Sequence, residues 1–221
     1  MKINNYIDHT LLKPTVTKEE ISKLCAEAIQ YQFFAVCVNG SYVKFAKEQL
    51  KGSDVKIAAV IGFPLGAMST VSKVFEAKDC IANGADEIDM VINIGYLKGK
   101  QYEYVGNEIS EIKKAIGTKV LKVIFENASL TKEEIKTVSK LSEKAGADFI
   151  KTSTGFGGGG ATIEDVKLMQ ESVGAEMKIK AAGGIRDIET ARQYIKMGVE
   201  RLGTSSGVSL MEKGTANKNS Y

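Results

Sequence analysis

Short apolar, β-branched runs alternate with longer amphipathic stretches along almost the whole chain. Each short run has the length of a strand, and each longer stretch repeats its apolar positions with helical spacing. The pattern predicts about eight helices and eight strands, the strands at 6–11, 34–38, 56–63, 87–92, 120–125, 149–152, 177–181 and 201–202. Three helices are predicted to begin at capping pairs, namely Thr17 with Glu20, Thr131 with Glu134, and Thr162 with Asp165.

Eight strand–helix units in 221 residues average about 28 residues each, the size of one βα repeat. Strict alternation predicts a parallel sheet, and eight units favour a closed barrel over an open doubly wound sheet. No G-x-G-x-x-G motif follows an early strand, and no linker rich in proline or serine divides the chain. We therefore predict one α/β domain over 1–221, a (β/α)8 TIM barrel, with 211–221 as a flexible C-terminal tail.

The composition of the chain mainly excludes classes of partner and site. The 30 basic and 27 acidic residues give a net charge of +3, so nucleic acid is not an expected partner. His9 is the only histidine, and the three cysteines form no C-x-x-C pair, so we expect no metal site and no disulfide framework. From the N-terminal segment and the lengths of the apolar runs, we expect neither a signal peptide nor a membrane-spanning helix. A reducing, cytoplasmic setting without a membrane is expected.

Charged side chains fall on inward-facing positions of the predicted strands. In such a barrel alternate strand residues face the interior, and the carboxyl ends of the strands carry the active site. This alternation places Asp89, Lys151 and Lys180 inside, each near the end of its strand, and it places Asn93 on the same inward face as Asp89. Asp89, Lys151 and Lys180 are therefore candidates for function.

Other inward-facing charges lie lower in the predicted barrel. For these we expect structural ion pairs in the barrel floor, Lys122 with Glu126 and Lys178 with Glu87. Burying an unpaired ammonium is costly, so such lysines must find a partner or lose a proton.

Two neighbouring lysines indicate carbonyl chemistry. One ammonium disfavours a second charge beside it, so one of the two amines titrates at a lower pH. A neutral amine forms a Schiff base with an aldehyde or ketone, and the protonated imine accepts electrons from a breaking C–C bond. The chemistry also needs a group that shuttles protons at the carbinolamine and the hydroxyl, and Asp89 is the available carboxylate.

Glycine-rich loops follow the last predicted strands. Gly183 and Gly184 come after the seventh strand, and the segment 203–207, which contains Ser205 and Ser206, comes after the eighth. Backbone N–H groups in such loops can surround a phosphate, although tight βα turns would have the same composition. The four consecutive glycines at 157–160 predict a flexible or close-approach loop before the helix at Thr162.

The motifs that carry these residues resemble the deoxyribose-phosphate aldolase family of class I (Schiff-base) aldolases. Segments IDHTLLKP, EIDMVINIG, FIKTSTGFG, KIKAAGGIR and RLGTSSGV match in order across nearly the whole chain. The resemblance implies that Lys151 forms the Schiff base, that Lys180 tunes it and transfers protons, and that Asp89 relays protons. The implied phosphate-binding residues are Gly155, Gly183, Gly184, Ser205 and Ser206. Secondary candidates are Asp8, Thr10, Asn93, Thr152, Arg186 and Tyr221.

The reaction implied by the resemblance is reversible cleavage of 2-deoxy-D-ribose 5-phosphate to acetaldehyde and D-glyceraldehyde 3-phosphate, in deoxyribonucleoside breakdown. No metal or organic cofactor is implied, and a homo-oligomer, a dimer or larger, is expected. Two alternatives stay open: another Schiff-base phosphosugar aldolase of the same barrel type, and a catalytically silent barrel that binds a sugar phosphate.

Three features depart from the family pattern. Phe125 and Asn127 flank Glu126 where members commonly read I-E-T, a change expected at the rim of the pocket. Gly40 replaces the proline of C-V-N-P, which is expected to alter a turn. Some members end in a tyrosine on a mobile tail that visits the active site. Tyr221 could serve in this way or simply end a frayed terminus.

Overall fold

Eight parallel strands close into a barrel in the order in which they occur along the chain. The structure, a computed structural model, describes residues 2–212. The first strand pairs with the last, with Asp8 opposite Gly203, so the sheet has no free edge. The strands are β1 (Ile7–Thr10), β2 (Ala35–Asn39), β3 (Lys56–Ile61), β4 (Glu87–Val91), β5 (Val120–Ile124), β6 (Phe149–Lys151), β7 (Lys178–Ala182) and β8 (Arg201–Thr204). The predicted (β/α)8 barrel is confirmed.

Helices connect successive strands, with two helices between β4 and β5 and one helix after β8. They are α1 (Lys18–Gln30), α2 (Val43–Gln49), α3 (Thr70–Ala82), α4 (Ile94–Lys98), α5 (Tyr102–Ile116), α6 (Lys132–Lys144), α7 (Ile163–Glu171), α8 (Ile188–Lys196) and α9 (Gly207–Glu212). Short 3-10 turns lie at Ile3–Tyr6, Gly40–Tyr42 and Asn127–Ser129. In the described part of the chain, no helix is long and apolar enough to cross a membrane.

The predicted capping residues begin α1, α6 and α7. The Thr17 hydroxyl accepts from the backbone of Glu20, whose carboxylate accepts in return from the Thr17 N–H. Thr131 starts α6 with the same reciprocal pair, and the Thr162 hydroxyl starts α7. Each cap stabilises its helix by about 1 kcal/mol and fixes where the chain turns after a strand.

The alternation along the strands divides the buried residues into two sets. Apolar side chains such as Ile88, Met90 and Ile150 join the large core cluster that the helices also build. The opposite face holds charged groups and a small apolar cluster that includes Cys37 and Val60. The core that stabilises the fold therefore lies mainly outside the ring of strands, and its interior carries the polar chemistry.

Several boundaries differ from the predicted ones. β8 continues to Thr204, because Gly203 and Thr204 still pair with β1. β6 ends at Lys151, although the Thr152 N–H still donates to the Lys180 carbonyl at 3.2 Å. α9 includes the first two residues of the predicted tail, and 213–221 lie outside the described residues.

Candidate active site

Lys151 and Lys180 meet at a single carboxylate oxygen. Each Nζ donates to Oδ2 of Asp89, and both N–O distances are 2.8 Å. The two lysines are register partners on the adjacent strands β6 and β7, so their side chains leave the sheet at the same height. Asp89 on β4 reaches them from across the barrel. All three residues were predicted to face inward near the ends of their strands, and the structure brings them together.

A second layer of charges lies against this group. Lys122 on β5 binds the other oxygen of Asp89, Oδ1, at 2.7 Å, and also contacts Glu87 at 2.6 Å. Arg201 on β8 bridges Glu87, at 2.7 Å, and Asp8, at 2.9 Å. The ion pairs of Arg201 with Glu87 and Asp8 were not predicted, because these partners lie far from Arg201 along the chain.

Asp8, a secondary candidate, lies in the same layer. Its Oδ2 accepts a hydrogen bond from the Lys180 ammonium, and its Oδ1 binds Arg201. Burial would raise the pKa of Asp8, but Lys180, Lys122 and Arg201 outweigh burial and hold that pKa below its usual range. Asp8 is therefore an ionised partner that fixes the position of Lys180.

The two lysines of the pair titrate in opposite directions. Burial lowers the pKa of Lys151, and the charge of Lys180 lowers it further, while Asp89 offsets only part of this effect. Burial acts on Lys180 as well, but the carboxylates of Asp8 and Asp89 outweigh it and raise the pKa of Lys180 above its usual value. Lys151 is thus the amine that loses its proton more readily.

Asp89 stays ionised between these cations. Burial alone would raise its pKa, but the ammonium groups of Lys122, Lys151 and Lys180 hold that pKa well below the usual range. A carboxylate in contact with two amines through one oxygen can pass a proton between them.

A pocket opens above Lys151 at the carboxyl ends of the strands. Its lining comprises Thr10, Leu11, Leu12, Lys13, Lys151, Thr154, Phe156, Ala182, Gly183, Gly203 and Ser205. Thr10, Gly183 and Ser205 were predicted site residues. Leu11, Leu12, Lys13 and Phe156 were not, although they stand in the quoted motifs. Phe156 also packs edge-on against Phe63, with ring centroids 5.3 Å apart.

The predicted phosphate loops lie side by side. Gly155, Gly183 and Gly184 all have φ between +78° and +85°, a conformation that side chains disfavour. A Cβ on Gly160 would lie 2.4 Å from the Gly183 carbonyl oxygen, so the two loops touch backbone to backbone. A cavity beside the pocket is lined by these four glycines with Gly158, Gly159 and Arg186.

The loop after β8 completes this rim. Ser205 lines the pocket, and the Ser206 N–H donates to the Thr204 hydroxyl at 3.0 Å. Gly207 begins α9 directly after the two serines. Ser205, two residues before α9, therefore shares the rim of the pocket with Gly183.

Two secondary candidates do not face the pocket. The Thr152 hydroxyl donates to the Ala182 carbonyl and accepts from the Ala182 N–H, so it ties the end of β6 to β7. The Asn93 side chain caps α4 by accepting from the Tyr96 N–H at 3.2 Å. Asn93 was expected to point inward, but β4 ends at Val91 and the alternation no longer applies beyond it.

The two ion pairs predicted for the barrel floor are wrong, because their residues contact other partners. Lys122 pairs with Glu87 and Asp89, whereas the Glu126 carboxylate accepts from the backbone and hydroxyl of Thr154. Lys178 does not face inward. It is exposed at the start of β7, with its Nζ 5.6 Å from the centre of the Phe149 ring. At the first residue of a strand, the side chain can reach solvent below the barrel.

The departures from the family pattern lie behind the pocket wall. Phe125 is fully buried in the outer core, and the Asn127 amide contacts the sulfur of Met169 at 3.4 Å. Neither lines the pocket, so the expectation that they touch its rim is wrong. Gly40 begins a 3-10 turn, and a Cβ there would meet the sulfur of Cys80 at 3.0 Å. Tyr221 lies outside the described residues.

The fold and this site define the class of the protein, a (β/α)8 aldolase barrel. The chain belongs to the DeoC/LacD family of aldolases, whose family model matches residues 3–211. Among its relatives, the deoxyribose-phosphate aldolase of Thermococcus kodakarensis is 59% identical over 216 residues, covering 96% of each chain. That of Exiguobacterium is 54% identical over 215 residues, covering 97% of each.

A solved structure is also similar. It is described as a tetrameric deoxyribose phosphate aldolase from Aeropyrum pernix, with 32% sequence identity and a TM-score of 0.85. The match covers 95% of this chain and 89% of that one. Within the described residues, no group of three or more His, Cys, Asp or Glu side chains could hold a metal ion.

Proposed function

We propose that this protein cleaves 2-deoxy-D-ribose 5-phosphate reversibly to acetaldehyde and D-glyceraldehyde 3-phosphate through a Schiff base on Lys151. The observation that carries the proposal is the shared Asp89 oxygen, which joins an amine of lowered pKa to a cation of raised pKa. The names of the relatives supply the substrate.

The first half of the reaction forms the iminium. The neutral Lys151 amine attacks the C1 aldehyde of the open-chain sugar, and the carbinolamine forms as a proton passes to its oxygen. Lys180, the protonated member of the pair, donates the proton with which this hydroxyl leaves as water. Asp89 carries the proton that the Lys151 nitrogen loses to the carbinolamine oxygen, and Lys180 is left as a neutral base for the second half.

The second half breaks the carbon–carbon bond. A base removes the proton of the C3 hydroxyl, the C2–C3 bonding pair moves toward the iminium nitrogen, and D-glyceraldehyde 3-phosphate leaves. The resulting enamine takes a proton at C2. Water then hydrolyses the iminium to acetaldehyde and restores the Lys151 amine. Lys180 and Asp89 are the groups placed to move both protons.

The glycine loops supply the phosphate site of this proposal. The substrate phosphate binds to backbone N–H groups around Gly155, Gly183 and Gly184, with Ser205 and Ser206 at the start of α9. Two observations support this placement: the positive φ angles of the glycines, and the contact of their cavity with the pocket above Lys151. The binding energy of the phosphate holds the aldehyde end over the amine.

Borohydride reduction in the presence of acetaldehyde tests the Schiff base. We expect mass spectrometry to find one ethylated lysine, at Lys151, and we expect Lys151→Ala to abolish both the adduct and turnover while circular dichroism stays unchanged. Lys178→Ala, on β7 but exposed below the barrel, is the matched control and keeps both. An unmodified Lys151 in the active protein would overturn the proposal.

A substrate panel separates the remaining alternatives. Acetaldehyde release from the deoxysugar phosphate supports the proposed reaction, whereas release of another aldehyde from another phosphosugar indicates a related aldolase. Binding of the sugar phosphate without turnover indicates a silent barrel. A coupled assay for aldehyde release distinguishes the first two outcomes, and a titration with the sugar phosphate identifies the third.

The assembly and setting of the protein are further parts of this proposal. We infer a homo-oligomer, since a relative of the same fold is described as tetrameric. We also place the protein in the cytoplasm, because the three cysteines are free and buried, which suits a reducing compartment. Its partners are the small phosphosugar and aldehydes named above.

A further inference from the structure

Among the described residues, one network of ion pairs joins seven buried charged side chains in the interior of the barrel, and the charges of this network do not cancel. The members are Asp8, Glu87, Asp89, Lys122, Lys151, Lys180 and Arg201. Each of these residues is between 0% and 5% exposed. Four cations minus three carboxylates leaves +1 when all are ionised. An excess charge in a buried site is strongly disfavoured, so one cation is expected to give up its proton.

Lys151 is the cation of this network that loses its proton most readily. Lys122, Lys180 and Arg201 each contact at least two carboxylates. Among the described residues, Lys151 has one carboxylate partner, Asp89, and shares that oxygen with Lys180. A neutral Lys151 leaves three cations against three carboxylates, which is electrically balanced.

Lys122 supplies the cation that creates this imbalance. Its ammonium is fully buried, 2.6 Å from Glu87 and 2.7 Å from Oδ1 of Asp89. The carboxylates around it outweigh burial and raise the pKa of Lys122, so it stays charged. With Oδ1 occupied, Oδ2 is the oxygen left for Lys151 and Lys180. Lys122 does not line the substrate pocket, so it acts through its neighbours.

We propose that Lys122 is a positioning residue of the reaction: it orients Asp89 and supplies the fourth interior cation, which keeps the Lys151 amine uncharged. This inference rests on the proposed function, because it explains how the attacking amine is held neutral. It gives a positioning role to Lys122, a lysine that the sequence alone assigns to the barrel floor.

The groups facing Lys151 come from every neighbouring strand that carries charge. They are Asp8 and Lys13 from β1 and its loop, Cys37 from β2, Glu87 and Asp89 from β4, Lys122 from β5, Lys180 from β7 and Arg201 from β8. Glu126, which follows β5, is buried as well, but its carboxylate is held by Thr154 and makes no ion pair with the network. Burial raises the pKa of the Cys37 thiol, so this group is neutral and does not alter the count.

The pH dependence of Lys151 trapping tests the inference. Acetaldehyde and cyanoborohydride are added over a pH series, and the midpoint for adduct formation on Lys151 is read by mass spectrometry. In Lys122→Met, a protonated Lys151 balances the interior, so we expect the midpoint to rise by about one pH unit or more. Glu87→Gln removes a carboxylate and is expected to lower the midpoint.

The double variant Lys122→Met/Glu87→Gln separates charge from structure. It again has one cation more than carboxylates, so its midpoint is expected to return toward that of the wild type. Two merely structural losses would not cancel in this way. Lys73→Met is the matched control, because it removes an equally buried ammonium, 2.9 Å from Glu108 and outside the interior group. Its midpoint is expected to match the wild type.

Each outcome decides one question. A wild-type protein that is never trapped on Lys151 contradicts the proposed function itself. Trapping in the wild type with an unchanged midpoint in folded Lys122→Met overturns the role of Lys122 and leaves the function standing. If circular dichroism shows that Lys122→Met does not fold, Glu87→Gln decides, and a midpoint that fails to fall overturns the inference.

Discussion

The Nζ atoms of Lys151 and Lys180 each donate to Oδ2 of Asp89 at 2.8 Å, so one oxygen joins the two amines. Lys180 has a second carboxylate in Asp8, whereas Lys151 relies on the shared oxygen. This asymmetry explains why burial prevails at Lys151 and lowers its pKa, while the pKa of Lys180 rises.

Replacing Lys180 by methionine is expected to remove the proton donor of the pair. We expect kcat to fall by about 10²- to 10⁴-fold, the usual contribution of a positioned acid or base. Slow borohydride trapping on Lys151 should persist, because the attacking amine is still present. Steady-state assays measure the first effect and mass spectrometry the second. Lys178→Met, at the exposed start of β7, is the control, and a Lys180→Met enzyme with wild-type kcat would contradict the prediction.

Acid is expected to destabilise the fold through the buried carboxylates. The folded-state pKa values of Asp8 and Asp89 lie below those of the unfolded chain, so the folded protein binds fewer protons in acid. The stabilisation that these two carboxylates provide is complete well above about pH 3.9. It is lost as the pH falls toward their pKa values in the folded protein. Urea unfolding at a series of pH values should show the free energy of unfolding decreasing below about pH 4.

The variant Asp8→Asn provides a second test of the stabilisation by the buried carboxylates. Removing this charge leaves Lys180 and Arg201 short of a buried partner, and we expect a loss of about 3–5 kcal/mol at neutral pH with a weaker dependence on acid. Asp54→Asn, at an exposed residue, is the control. An Asp8→Asn protein as stable as the wild type at neutral pH would show that the pairing contributes little.

Gly183→Ala is expected to weaken binding of the phosphate. Gly183 has φ +85°, and a Cβ there would lie 2.9 Å from the Cα of Gly160. The strain, about 1–3 kcal/mol, is expected to raise the KM of the phosphorylated sugar more than that of unphosphorylated 2-deoxyribose. Gly117→Ala has φ +62° but no atom within 4 Å of the new Cβ, and it ends α5 before β5. It should lose stability without the KM effect, and equal KM changes for both sugars would contradict the phosphate assignment.

Phe156→Ala is expected to open one side of the pocket. The Phe156 ring is 44% exposed, and its packing on Phe63 contributes about 0.5–1.5 kcal/mol. We expect a higher KM with little change in the trapping of acetaldehyde on Lys151, because the ring lines the pocket without touching the lysine pair. Phe75→Ala, an aromatic residue on α3 that is 74% exposed, is the control. An unchanged KM would show that the ring does not meet substrate.

The lysine pair could be predicted because the side chains along a strand alternate between its two faces, with a period of two residues. The alternation placed Lys151 and Lys180 inside, and both lie within regular β6 and β7, where that rule holds. It failed at Lys178, where β7 has only begun and the side chain reaches solvent, and at Asn93, where β4 has ended and the side chain caps a helix.

The pairing of the interior charges could not be predicted from spacing along the chain. Glu126 is four residues after Lys122, yet Lys122 pairs with Glu87 and Asp89 on the neighbouring strand β4. Which charges meet depends on the stagger between strands and on side-chain reach across the barrel. Neither quantity is written in the hydrophobic pattern, which determines only the face of each strand.

The contact between Asp8 and Arg201 joins residues 193 positions apart, from the first strand to the last. A ribosome releasing this chain has delivered nearly all of it before Arg201 can neutralise Asp8. Until then the early carboxylates lack one of their counterions, and the sheet has two open edges. The network of charges that surrounds Lys151 is therefore complete only when the final strand docks against the first.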